Sequence, residues 1–282
     1  MPHARFLVVL CFACLSAGVH AQWLGFPTPG TPRTRDGKPN LAAAAPRTAE
    51  GKPDLSGVWL HELTSVAEVR RLFGDRLDGE ILTSVPGMEI GTQHKYAFNI
   101  LLDFKPEEAP LRPKGVELLR RNATSHDPAD VCAGTAGLPL AGLLSEPIKI
   151  VQSPRLTVIL HEADNTHRQI YTDGRGLPKT FESPAWFGYS VGRWERDVLV
   201  VETAGFNDKT TLDLMGHPHG EGLRVVERYR RRDFGHLDVE FTFDDPEMYT
   251  KPFTVNVPHT LLADSDIFES FCENEKDRAH LK

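Results

Sequence analysis

The loop LDLMGHPHGE, Leu212 to Glu221, brings Asp213, His217 and His219 together just before a strand-like run that carries Glu227. His-x-His sets two imidazoles on one side of an extended chain, which suits a proton relay or a divalent metal with Glu227 as a third ligand. A carboxylate among apolar neighbours has its pKa pushed up toward the range useful for acid or base work, unless a cation pairs with it. Glu227, His217, His219 and Asp213 are therefore the candidate catalytic groups. Arg175, in YTDGRGLP, is a candidate anion holder, and equally a buried cation that could pair with Glu227. Tyr171, Trp186 and Tyr229 complete the expected substrate-binding set. His161, set near Arg168 by pairing VILHE with RQIYT through the ADNT turn, reads as a hydrogen-bonded structural histidine. The metal set, if there is one, is His217, His219 and Glu227; otherwise no cofactor is expected, because no Walker loop, HExxH, CxxC or dinucleotide fingerprint is present. GYSVG puts Gly188, Ser190 and Gly192 at the spacing of a nucleophile elbow, but inside a strand-rich hairpin, where a serine nucleophile is out of context.

The hairpin in ERYRRRDFGHLDVEFTF is what places Glu227. If Arg232 faces His236, Arg230 meets Asp238 and Arg228 meets Glu240 on one face, while Tyr229 meets Val239, Glu227 meets Phe241 and Val225 meets Phe243 on the other. Opposite charges pair on the wet side and apolar groups on the dry side, so two patterns agree on one register. Similar β-branched and aromatic runs, punctuated by Gly, Pro and Asp, fill the chain after Pro147 and predict an antiparallel meander. Helical spacing is confined to the N-terminal half: Leu63, Val66, Val69 and Phe73 share one face, and the stretch Ile100–Arg121, interrupted by KPEEAP, permits a second short helix.

Residues 1–21 have the pattern of a secretory signal, with Arg5 before the apolar run Phe6 to Val19 and Val19-His20-Ala21 at a cleavage site. The expectation is an exported protein, periplasmic or extracellular, with no transmembrane segment. Removing Arg5 moves the formal net charge from -7 to -8, which argues against a nucleic-acid partner recruited by phosphate attraction. Cys132 and Cys272 remain, and an oxidising compartment favours a disulfide between them, with two buried free thiols as the alternative. Residues 22–54 form a Pro/Gly-rich arm or linker, and 55–282 a single domain. Within the arm PRTRDGKPNL, from Pro32, recurs as PRTAEGKPDL, from Pro46, matching at seven of ten positions. Only the second copy continues into an apolar run, DLSGVW.

The blocks RTAEGKPDLSGVW, IVQSPRLTVILHE, RQIYTDGRGLP, GYSVGRWERDVLVVETAGFNDKTTLDLMGHPH and ERYRRRDFGHLDVEFTFDDPEMYTKPF resemble those of a largely uncharacterised family of exported bacterial proteins, abundant in acidobacteria and some proteobacteria. The resemblance spans Thr34 to about Asp277 and carries no activity with it. Family members usually have Gly where Arg196 stands, which argues against a strict type I′ or II′ turn here. Their CLPSGIPR block appears as CAGTAGLPL, which implies a reshaped loop after Cys132. Gly57-Val58-Trp59 also resembles the Gly-x-Trp opening of lipocalin-like barrels, where the Trp plugs the closed end. Together these features predict a mainly β fold, a meander closing into a lipocalin- or calycin-like barrel or a curved sheet, with one or two short helices before it. Such a fold holds a small molecule in its interior. The expected function is an enzyme acting on a hydrophobic or aromatic small molecule by acid–base chemistry, as isomerase, lyase or hydrolase; the alternatives are a carrier or sensor with the same pocket, or an envelope interaction module. The sequence carries no signal for oligomeric state.

Overall fold

In the computed structural model, residues 26–65, 67–68, 71, 94–125, 137–144 and 146–269 are described. The leader, both remaining cysteines and Val66, Val69 and Phe73 of the helix expected over 63–73 lie outside them. Among the described residues the strands are β1 (Gly57–His61), β2 (Ile148–Gln152), β3 (Leu156–His161), β4 (His167–Tyr171), β5 (Tyr189–Glu195), β6 (Val198–Ala204), β7 (Arg224–Arg231), β8 (His236–Asp244) and β9 (Phe253–Leu261). They close into one barrel in chain order, with Trp59 opposite Leu261 and His61 opposite His259 at the seam between β1 and β9. The barrel is accompanied by the helices α1 (Lys95–Phe98) and α2 (Pro113–Ser125), both in the N-terminal half. No helix among the described residues is long and apolar enough to cross a membrane.

The β7–β8 hairpin has the register that charge and hydropathy dictate, with Arg230 opposite Asp238, Arg228 opposite Glu240 and Glu227 opposite Phe241. Strict alternation along β7, β8 and β9 turns Val225, Val239, Phe243, Phe253 and Val257 into the core, each at most 4% exposed. One pair departs from a pure meander: β4 and β5 run parallel, Ile170 beside Ser190 and Tyr171 beside Val191. A parallel neighbour needs a connection long enough to return along the barrel, and residues 172–188 supply it.

Trp59 is fully buried at the β1–β9 seam. Its Nε1 donates to the Leu55 carbonyl at 2.9 Å, and the Arg231 guanidinium lies 4.9 Å over its ring. Gly57 has φ +147, and a Cβ there would lie 2.5 Å from Leu261 Cδ1, so only glycine lets β1 begin this close to β9.

The repeated decapeptide makes the same loop twice. Thr34 N–H donates to Lys38 O at 2.9 Å and Asn40 N–H to Pro32 O at 2.8 Å; Thr48 N–H donates to Lys52 O at 2.8 Å and Asp54 N–H to Pro46 O at 2.9 Å. Gly37 and Gly51 take φ +81 and +75 at equivalent places. The second residue of each copy is an arginine that forks onto an aspartate of the barrel: Arg33 onto Asp264 just after β9, and Arg47 onto Asp197 in the β5–β6 turn. The arm is thus folded into two docked loops where composition suggested an extended or linking segment, because each guanidinium closes its own loop and anchors it. The Leu41 and Ala43 carbonyls further accept from Gly235 and Phe234 in the β7–β8 turn.

The β5–β6 turn has two central residues, and Arg196 takes φ +56. A left-handed conformation at the first position keeps the two-residue hairpin despite the missing glycine. It costs an L-residue roughly 1 kcal/mol. Arg196→Gly should therefore raise the thermal midpoint by about 2–4 °C in calorimetry; an unchanged or lower midpoint would show that the turn is not strained.

Candidate functional site

Alternation along four strands points five polar side chains into the barrel. Arg168 on β4 meets Glu227 on β7 through both terminal nitrogens, Nη1 to Oε1 at 2.8 Å and Nη2 to Oε2. Its Nε donates to Ser190 Oγ at 3.0 Å and its Nη2 to Thr203 Oγ1 at 2.7 Å, while Tyr229 Oη donates to Glu227 Oε1 at 2.7 Å. Glu227 is 0% exposed and Arg168 3%. Burial opposes the charge on Arg168, but the paired Glu227 outweighs it and holds the guanidinium above its ordinary pKa. Burial, reinforced by the Glu227 charge, pushes the Tyr229 phenol well above its usual value. The partner of Glu227 is thus Arg168. Arg175 lies on the outside, paired with Asp173 at 2.7 Å and stacked 4.0 Å from the Tyr171 ring.

Beside this network lies a cavity of about 20 Å³, lined by His161, Arg168, Tyr229 and His259 with apolar walls that include Ile148 and Phe241. That volume accommodates about one water molecule. His161 Nδ1 donates to the Ala141 carbonyl at 3.3 Å, which leaves Nε2 as an acceptor. Nε2 is buried and has no hydrogen-bond partner among the described residues. Burial, helped by the neighbouring Arg168, lowers the His161 pKa to about 4. His259 donates from Nδ1 to Val257 O at 2.9 Å, and burial together with His61 lowers it to about 3.

A plug covers the cavity. Residues 138–144 bring Leu138, Leu140, Ala141 and Leu143 into the core, each at most 3% exposed, around a short 3₁₀ turn at Leu140–Gly142. Two histidines hold its backbone, His161 at the Ala141 carbonyl and His61 Nε2 at the Leu144 carbonyl, 2.9 Å away. His61 in turn stands edge-on to His94, with ring centroids 5.8 Å apart.

The loop histidines belong to a separate arrangement. Asp213 Oδ2 accepts from His217 Nδ1 and from the Ile100 amide, both at 2.6 Å, and Oδ1 accepts from the His217 amide at 3.0 Å. This fixes the His217 ring and ties the loop to the residues after α1. His219 is occupied on both sides, with Nδ1 on the Gly220 carbonyl at 3.2 Å and Nε2 on the Thr210 hydroxyl. Among the described residues no hydrogen bond joins Asp213, His217 or His219 to Glu227, and no three His, Cys, Asp or Glu are grouped so as to hold a metal ion. Ser190 is 1% exposed and bonded within the barrel network. Trp186 is half-buried in the 172–188 connection.

No known protein family matches the chain, nor does any curated protein or solved structure. The site therefore rests on its own geometry. The sequence reading missed the unpartnered nitrogen of His161, the plug above it, and the grouping of His61, His94 and His259. A signal for the first was present: Ile170 is apolar and inward, so Arg168, two residues before it, shares its face, as His161 shares that of Ile159.

Proposed function

We propose that the chain is an exported enzyme that performs acid–base chemistry on a small hydrophobic or aromatic molecule at the plugged end of its barrel. The observation that carries this reading is the His161 Nε2 acceptor, buried without a partner in a cavity it shares with Arg168 and Tyr229. Buried polar groups are almost always paired, so one left open marks a place for water or a ligand. Arg168 Nη1 keeps one N–H after its bond to Glu227, so a bound O–H can donate to His161 and accept from Arg168. As that proton moves to Nε2, the guanidinium faces the oxygen on which negative charge develops. Glu227 acts as a positioning residue, holding Arg168 and Tyr229. Export is supported by the leader pattern and by the blocks resembling an exported family, and the acidic net charge disfavours nucleic acid.

The low His161 pKa favours a second reading, a carrier in which His161 only accepts a hydrogen bond. Turnover separates the two. A panel of aromatic esters and unsaturated carbonyl compounds should include one whose conversion falls by about 10²–10⁴ in His161→Gln while the thermal midpoint stays near that of the parent. Equal rates in both proteins would remove His161 from the chemistry. Binding without conversion by the parent would establish the carrier.

A further inference from the structure

A second cavity, of about 250 Å³, lies between the arm and the barrel wall, lined by Ala45, by Pro46, Arg47 and Pro53 of the second decapeptide and by Asp197, Arg230, Arg231 and Arg232. Its wall holds four arginines and one aspartate, a local excess of positive charge on a chain whose formal net charge is -7. Two of the four are neutralised. Arg47 forks onto Asp197, and Arg232 Nε lies 3.1 Å from Asp238.

The other two make no ion pair among the described residues. Asp238 stands across the hairpin from Arg230 but is taken by Arg232, and no ion pair to Arg230 forms among the described residues. Arg231 is 7% exposed, and its N–H groups meet only neutral carbonyls, those of Asp233 at 3.2 Å, Ser56 at 3.3 Å, Asp54 and Phe234. Four N–H groups are occupied in this way and one remains. Burial lowers the Arg231 pKa to about 10, and the Asp54 and Asp233 charges offset this only in part, so a buried cation without a direct ion pair still favours an anion nearby.

We propose that this cleft is an anion site for a phosphate monoester group, with Arg230 and Arg231 as its charged donors and the second decapeptide as its outer wall. The Arg230 guanidinium, which makes no ion pair, and the one N–H left on Arg231 can each take an oxygen of a phosphate dianion, whose several terminal oxygens reach donors that a single-atom anion could not bridge. The inference stands independently of the barrel chemistry. It also gives the two copies of the decapeptide different roles, since only Arg47 and its neighbours line this cleft.

The test is thermal unfolding and calorimetric titration of the full chain with inorganic phosphate and, in a parallel arm, glycerol phosphate. Sodium chloride and sulfate at matched ionic strength are the controls. Phosphate should raise the midpoint beyond both controls, as a ligand of the native state must. Arg230→Ala, which removes no ion pair of the fold, should weaken phosphate binding by about tenfold or more. Binding of glycerol phosphate as well would identify an esterified phosphate as the occupant, while its exclusion alone would assign the cleft to free phosphate. Equal midpoints in phosphate, sulfate and chloride, or unchanged affinity in Arg230→Ala, would overturn the site.

Discussion

Glu227→Gln should destabilise the protein by about 3–5 kcal/mol, the cost of leaving a buried charge without its counter-ion. The carboxylate accepts from both terminal nitrogens of Arg168 and from Tyr229, and it is 0% exposed. An amide keeps the shape but offers one acceptor and no charge, so Arg168 remains cationic in a site that no longer balances it. Removing both partners is a different experiment. In Arg168→Met with Glu227→Leu the guanidinium disappears, Ser190 and Thr203 still bond each other at 3.0 Å, and the Tyr229 hydroxyl faces the cavity, where one water can take the vacated bond. The double variant should lie within about 1–2 kcal/mol of the parent, because replacing a whole buried pair with apolar groups is often close to neutral. Urea denaturation of the parent, Arg168→Met, Glu227→Leu and the double variant gives the coupling energy directly. A loss in the double variant equal to the sum of the two single losses would show that the pair is not coupled. This order of measurement also protects the functional test, since a fall in turnover in Glu227→Gln means little until its folded fraction is known.

Periodicity made the barrel wall legible, while chemistry inside the barrel was legible only in part. The β7–β8 register followed from residues whose charge and hydropathy repeat every second position, so Glu227 could be placed on the dry face before any coordinates. Its partner could not. Arg168 and Arg175 lie within eight positions of each other, and only the strand alternation set by Ile170 separates an inward guanidinium from an outward one. The parallel β4–β5 pair was hidden for a related reason: a long return connection has no short-range turn signature, unlike the two-residue turn at Arg196. Asp213 and His217 are four apart in one loop and do meet, because that contact is local. His61, His94 and His259 come from three distant segments, and no spacing rule reports a meeting set by barrel closure. The plug at 138–144 was equally silent, since LPLAGLL reads as an apolar run whether it fills a core or caps one.

The buried histidines make stability fall steeply on mild acidification. Burial, with contributions from neighbouring basic groups, lowers His94 to about 3, His161 to about 4 and His259 to about 3, and burial alone lowers His61 and His219. The groups facing them account for the direction: Arg168 opposes a proton on His161, and Lys95, His61 and His259 oppose one on His94, with Asp103 too weak to compensate. Each native pKa lies below the unfolded value near 6.5. Below that value the unfolded chain takes up protons that the native barrel refuses, so the stability of the neutral histidines is fully present above pH ~6.5 and declines down to the native pKa values of about 3–4. Each histidine contributes about 1.4 kcal/mol per pH unit in that interval, so the three with the largest shifts remove roughly 6 kcal/mol by pH ~5. That is comparable with the whole stability of a typical domain. The native-state carboxylates with lowered pKa, such as Glu68 at about 2, lose their contribution only at lower pH, so they do not set this window. Denaturant titrations at closely spaced pH between 7.5 and 5 should show the slope, and His259→Phe should reduce it by about 1.4 kcal/mol per pH unit. The plug should loosen first, because a proton on His161 Nε2 would stand beside the Arg168 guanidinium in the cavity that the plug covers, and opening that end lets water reach the charge. Amide exchange near Ala141 and Leu144 should therefore accelerate before the β8–β9 ladder does, and an unfolding free energy that stays flat from pH 7 to 5 would show that these imidazoles are not buried as neutral groups.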